Sequence, residues 1–195
     1  MNAYENVEIF EDTKRLCEKN EKLKASVAES VKGQKLISES EKLPVVDKKR
    51  FSNEAKVVVS TKRTFEAASG YAGQKVAVHN FASPYKPGGG VLRGAGAQEE
   101  CLCRCSGLYF CLSVPELEKG FYGPHRKAKN PIGSADIIYT PAVTVFKADT
   151  AKPQLMDEAA WYDVDVITCA APDLRVKNSF HDIRNNVTPT VKITD

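Results

Sequence analysis

No stretch of this sequence approaches the roughly 20 consecutive apolar residues that carry a helix across a bilayer. The N-terminal residues Met1 to Glu11 hold Glu5, Glu8 and Glu11 where a secretory leader would place a cationic segment and then an apolar one. A dominant sign of charge is missing too. Lys and Arg number 28 against 25 Asp and Glu, a formal net charge of +3, with both signs mixed along the chain. Without a basic block or an acidic tail, charge points to no nucleic-acid partner. Histidine is scarce: His79, His125 and His181 are scattered, and no pair has the spacing of metal ligands. The six cysteines lack the spread of a secreted disulfide framework, since Cys17 and Cys169 stand far apart and Cys101, Cys103, Cys105 and Cys111 crowd one segment. There is no internal repeat and no low-complexity tract. These absences lead us to expect a soluble, cytoplasmic protein with no membrane partner.

What is present fits one α/β domain. A chain of 195 residues with 42% hydrophobic residues can bury a real core. From Glu11 to about Leu43 the apolar positions Leu16, Leu23, Val27, Val31 and Leu36 recur at helical spacing, and Gly33 is expected to divide the stretch into two helices. "AKVVVST" (Ala55 to Thr61) reads as a buried strand. "RTFEAASGYAG" reads as a helix stopped at Gly70 or Gly73, and "KVAVHNF" (Lys75 to Phe81) as a second strand. A third helix is expected over Gln98 to Leu112, with Leu102, Cys105, Leu108, Tyr109 and Leu112 on one face. Ala135 to Phe146 and Asp163 to Ala171 read as two further strands. Strands alternating with helices imply a layered α/β domain with a largely parallel sheet.

Between the second strand and the third helix lies "PGGGVLRGAGAQEE", Pro87 to Glu100. This address, the carboxyl end of a strand, is where open α/β folds bind ligands, and glycines there let the backbone approach closely. Glu99 and Glu100 fall in the first helical turn. The helix dipole alone favours acids there, and Glu100 has a possible partner one turn on in Arg104. Neighbours on a helix point about 100° apart, so the two cannot share a proton face to face. If both act, one holds substrate hydroxyls and the other protonates a leaving oxygen, as in glycosidic cleavage. An acid buried beside a ligand phosphate would be raised towards neutrality, as a general acid requires.

Three other features invite chemistry. Cys101, Cys103 and Cys105 alternate along a helix, whereas structural zinc sites place cysteines on a turn, so we expect small packing residues and no metal. His79 is expected to pack beneath the site. Trp161, Tyr139 and Tyr122 suit a core, although Tyr122, flanked by glycines in "GFYGPHRK", could also close over a bound ligand.

The three glycines Gly88, Gly89 and Gly90, seven residues, and then Gln98, Glu99 and Glu100 resemble the signature of the poly(ADP-ribose) glycohydrolases. "VAVHNFASPYKPGGGV", "AQEECLCRCSGLY", "IIYTPAVTVFK" and "VDVITCAAPDL" resemble the microbial branch, from about Thr64 to Leu174. The resemblance implies a macrodomain-like three-layer α/β/α fold with a mixed, largely parallel sheet, running over residues 55–195 with residues 1–54 as a helical extension packed on it. It also implies hydrolysis of ribose-ribose O-glycosidic bonds in poly(ADP-ribose), releasing ADP-ribose without metal or organic cofactor. Glu100 would be the general acid and Glu99 would hold ribose hydroxyls. Asn80, Gly88, Gly89, Gly90 and Val91 would complete the ligand-binding set, with Gln98 positioning the catalytic loop. In this family a second glycine-rich loop, of the type "GAWGCGAF", wraps the diphosphate, whereas this sequence stops at "NNVTPTVKITD". The expectation is therefore a chain lacking that C-terminal segment, whether truncated, split or decayed. Such a chain would lean on a second copy or a complementary chain, or bind ADP-ribose without turnover.

Overall fold

The computed structural model describes residues 2–42, 45–47, 50–130 and 133–170. Two helices open it, α1 (Ala3–Lys19) and α2 (Glu21–Lys32). Asn2 and Glu5 form a capping box on α1, each side chain accepting the other's backbone N–H. The break between the helices falls at Asn20, not at Gly33. Asn20 leaves α1 in an extended conformation and its side chain accepts the Leu23 N–H, so it satisfies a free donor of α2. Gly33 ends α2, and strand β1 (Lys35–Ile37) follows inside the stretch read as helical.

The valine run at Ala55 to Thr61 is not a strand. Val57 and Val59 are 84% and 92% exposed, because no strand among the described residues offers them an edge. Helix α3 (Thr64–Ser69) stops at Gly70 and leads to strand β2 (Ala77–Ala82). The single helix expected over Gln98 to Leu112 is two, α4 (Gln98–Cys105) and α5 (Leu108–Leu112). The Cys105 carbonyl accepts the N–H groups of Phe146 and Lys147, Gly107 N–H donates to the Thr144 carbonyl, and Ser106 bridges to Val145. Tertiary pairing with the next strand thus takes the backbone groups a continuous helix would have used. Short helices α6 (Pro115–Leu117) and α7 (Gly123–Ala128) flank a π-helical turn at Glu118–Tyr122, and strands β3 (Ile137–Val145) and β4 (Tyr162–Ala170) complete the elements.

The sheet order is β1-β3-β4-β2. It is mixed as expected; among the described residues one pairing of three is parallel, β2 with β4, and the other two are antiparallel. The β3–β4 connection carries only a 3-10 turn (Glu158–Ala160) rather than a crossover helix, so β4 returns antiparallel. One face of the sheet, with Val78, Ile138, Val143, Val164 and Val166, packs on Phe10, Phe65, Leu102, Leu108 and Phe121. The other face carries His79, Phe81 and Ile167, exposed among the described residues, so the expected third layer does not fall within them. His79 therefore lies on that open face, its ring 4.4 Å from that of Phe81, and not beneath the site.

The N-terminal helix is bolted to the loop between β2 and α4. Asn6 Nδ2 donates to the Gly94 carbonyl at 2.8 Å, and a Cβ on Gly94 (φ +76°) would stand 2.0 Å from the Ala3 carbonyl oxygen. Gly94→Ala should cost about 2–4 kcal/mol through strain and overpacking together. Calorimetry checks this against Gly96→Ala, where a Cβ meets nothing nearer than Asn6 Nδ2 at 3.8 Å and stability should hardly change.

Candidate active site

Strand β2 points Asn80 into the interior, where its Nδ2 donates to Thr168 Oγ1 of β4 at 3.2 Å. The chain then turns through Ser83 to Gly90 and returns at α4 with two acids in its first turn. The loop holds both acids by its backbone. Ser83 N–H donates to Glu99 Oε2 and Gly90 N–H donates to Glu100 Oε1, each at 2.8 Å. Each carboxyl thus has one oxygen anchored. The others, Glu99 Oε1 and Glu100 Oε2, are buried with no hydrogen-bond partner among the described residues, as is Asn80 Oδ1. Glu99 and Glu100 are only 3% and 6% exposed. Buried acceptors of this kind are costly and demand a donor.

Gly89 explains why glycine is required. Its φ is +57°, and a Cβ there would lie 2.6 Å from Glu100 Oε1 and 2.9 Å from Glu99 Oε2. Both carboxyls therefore converge over one backbone atom, although their Cα positions diverge around the helix. Burial pushes the Glu99 carboxyl up to about 7; the Ser83 N–H opposes the rise, the charge of Glu100 adds to it, and the Asn80 side chain and the Gly88 N–H oppose it further. A group raised in the folded state binds more protons there than when unfolded. Its stabilising effect is present below the unfolded value, near 4.5, and is lost as pH rises towards 7. Unfolding free energy should fall by on the order of 3 kcal/mol between about pH 4 and pH 8 from this group. Glu99→Gln should flatten that slope in denaturant titrations at the two pH values.

The remaining expected residues take different places. Gln98 is engaged within the protein: Nε2 donates to the His79 carbonyl (2.7 Å) and Thr64 Oγ1 (3.1 Å), and Oε1 accepts the Phe81 N–H at 2.9 Å. It stands in for a neighbouring strand along the outer edge of β2. Val91 is wholly buried in the core, with its Cγ1 beside Gly88. Arg104 does not pair with Glu100; its guanidinium donates to the Ala95 carbonyl (2.7 Å) and Cys101 Sγ (3.1 Å). Tyr122 is no lid, being wholly buried. The six cysteines are free, and no group of three potential metal ligands occurs among the described residues. His181 lies outside the described residues. Sequence reading missed Ser83 and Thr168. Ser83 acts through its N–H, which leaves no trace in a side chain, whereas Thr168 interrupts the inward apolar stripe Val164, Val166, Ala170 and could have been noticed.

The family model for the catalytic domain of microbial-type PARG matches residues 3–148. Among solved structures, poly(ADP-ribose) glycohydrolase (PARG) from Thermomonospora curvata is 30% identical with a TM-score of 0.76, over 95% of this chain and 69% of that one. The same enzyme bound to the inhibitor ADP-HPD is 30% identical with a TM-score of 0.67, over 92% and 70%. The Deinococcus radiodurans enzyme in complex with ADP-ribose is 30% identical with a TM-score of 0.63, over 82% of this chain and 61% of that one. No curated protein matches. Among the described residues no helix is long and apolar enough to cross a membrane. With a loop of glycines anchoring two buried acids and a family model spanning residues 3–148, the chain belongs to the microbial-type poly(ADP-ribose) glycohydrolases, in their catalytic domain.

Proposed function

We propose that this chain hydrolyses the ribose-ribose O-glycosidic bonds of poly(ADP-ribose) and releases ADP-ribose, with Glu100 as general acid and then general base. The observation that carries this reading is the pair of buried carboxyls, each with one oxygen fixed by the loop backbone and one left without a partner. Ribose hydroxyls are the donors those acceptors call for, and Glu99 with Asn80 would take them. Such bonds favour the ionised form of Glu99, and Glu100, as the general acid, enters the reaction carrying the proton. Glu100 gives it to the leaving ribose oxygen as the anomeric C–O bond breaks. Water then attacks the oxocarbenium-like carbon and returns a proton to Glu100.

Gly88, Gly89 and Gly90 bring the backbone against the distal ribose and diphosphate, and Gln98 positions the turn that carries the acids. Residues 1–54 form a helical extension packed on the macrodomain-like catalytic domain of residues 55–195, a reading supported by β1 joining the edge of the sheet and by the Asn6–Gly94 hydrogen bond. We place the protein in the cytoplasm, acting on ADP-ribose polymers and not on membranes or nucleic acid. The face with Phe81 and Ile167, exposed among the described residues, supports a protein partner, a second copy or a complementary chain. Digestion of polymer in ¹⁸O-labelled water tests the reaction class. Hydrolysis puts the label on the anomeric hydroxyl of released ADP-ribose, and release of unlabelled product would exclude it.

A further inference from the structure

Cys101 stands apart from the other cysteines of α4. Cys103 and Cys105 are wholly buried, whereas Cys101 is half-buried and lines an open hollow of about 280 Å³. The hollow lies between the start of α3 and the start of α4, with Lys62, Arg63, Gln98 and Asp149 on its walls. Cys101 Sγ accepts from Arg104 Nη2 at 3.1 Å and from Arg63 Nη1 at 3.7 Å, and its own hydrogen reaches towards the Gly96 carbonyl at 3.7 Å. Two guanidinium groups therefore face the negative charge that a sulfur develops when it attacks. Burial holds the other thiols back: it pushes Cys17 and Cys111 up to about 12 and raises Cys103, Cys105 and Cys169 as well.

Asp149 shows independently that the hollow suits a ligand. It is 5% exposed, and its Oδ2 accepts the Phe65 N–H at 3.1 Å. Its Oδ1 has no hydrogen-bond partner among the described residues; Arg63 Nη1 stands 3.9 Å from it, beyond hydrogen-bond reach. A buried carboxyl oxygen of this kind calls for an N–H or ammonium donor. Lys62 and Arg63, both exposed, offer cations to carboxylates. A ligand with carboxylates, an ammonium group and a sulfur that Cys101 can attack meets the whole set.

The geometry points to Cys101 as a modification site that forms a mixed disulfide with a small peptide disulfide of the glutathione class, an adduct that disturbs the catalytic helix. The Cys101 sulfur, having given its proton to water, attacks one sulfur of the small disulfide. The new S–S bond forms as the old one breaks, and the departing sulfur leaves with the electron pair and takes up a proton. A free thiol reverses the exchange. Cys101 directly follows Glu100, and Gln98, whose amide ties α4 to His79 and Phe81 of β2, shares the hollow. An adduct there crowds Gln98 and shifts the turn that carries both acids. This consequence rests on the proposed glycosidic chemistry, whereas formation of the adduct does not.

The experiment treats the intact chain with oxidised glutathione and, in parallel, with the neutral 2-hydroxyethyl disulfide, and follows the adduct at each cysteine by peptide mass mapping. Cys101 should react at least about 10-fold faster than any other cysteine. With each rate divided by that of a free cysteine peptide, oxidised glutathione should outpace the neutral reagent at Cys101 by about 3- to 10-fold at low salt, and Lys62→Ala should narrow that preference. In the polymer assay the adduct should lower ADP-ribose release by about 10- to 100-fold. Dithiothreitol should restore it, and Cys101→Ser should keep basal release and escape the loss. Modification spread evenly over the cysteines, or no preference for glutathione at Cys101, would overturn the site. A Cys101 adduct with full release would overturn its control of the acids. Absence of release by the untreated chain would instead count against the proposed function and leave the mass result standing.

Discussion

Glu100→Gln should lower ADP-ribose release from polymer by about 10²- to 10⁴-fold, the usual contribution of a general acid, while ADP-ribose affinity stays within a few-fold of wild type. The carboxamide keeps the size of the side chain, and its oxygen can still accept the Gly90 N–H now donated to Oε1. What it loses is the proton for the leaving ribose oxygen. Loop geometry should therefore survive and the loss should fall on kcat. Single-turnover release, run beside calorimetric binding of ADP-ribose, separates the two. Equal losses in binding and turnover would mean that Glu100 holds the loop together and does not move a proton.

Gly89→Ala should be as damaging, for a reason that touches both acids at once. Its positive φ would cost an alanine roughly 1–2 kcal/mol, and its new Cβ would enter the space held by Glu100 Oε1 and Glu99 Oε2, 2.6 and 2.9 Å away. A displacement of about 1 Å in a catalytic group costs on the order of 10²-fold, so kcat/KM should fall by at least about that factor. Gly73→Ala isolates the cause, because Gly73 has φ +83° but nothing within 4 Å of its Cβ position. It should lose stability and keep its activity. If both variants lost activity equally, backbone strain and not displacement of the acids would be responsible.

The reading of the sequence was strongest where local chemistry is self-contained. Helix α3 ends at Gly70, and β2 delivers the chain into the glycines, as composition alone indicated. The triple glycine and the two acids named their own neighbourhood, because close backbone approach needs glycine wherever the fold places it. Readings failed where a distant partner decided the outcome. The division at Ser106 depends on Phe146 and Lys147 claiming the Cys105 carbonyl from far along the chain, invisible to helical periodicity. Val57 to Val59 have strand propensity, but propensity cannot supply an edge. The angular divergence of Glu99 and Glu100 around α4 was read correctly, yet it did not show that Ser83 and Gly90 draw the two carboxyls over the same glycine. Tyr122 carries two signals in its sequence context, an aromatic and flanking glycines, and neither distinguishes a loop from the buried π turn it occupies.

The central claim is that two loop-anchored acids cleave a glycosidic bond, and the rate of ADP-ribose release from purified polymer by this chain tests it most directly. The account predicts steady release of ADP-ribose that Glu100→Gln removes. Tight binding of ADP-ribose with no release from polymer would contradict it, and would make the same buried carboxyls the floor of a binding module.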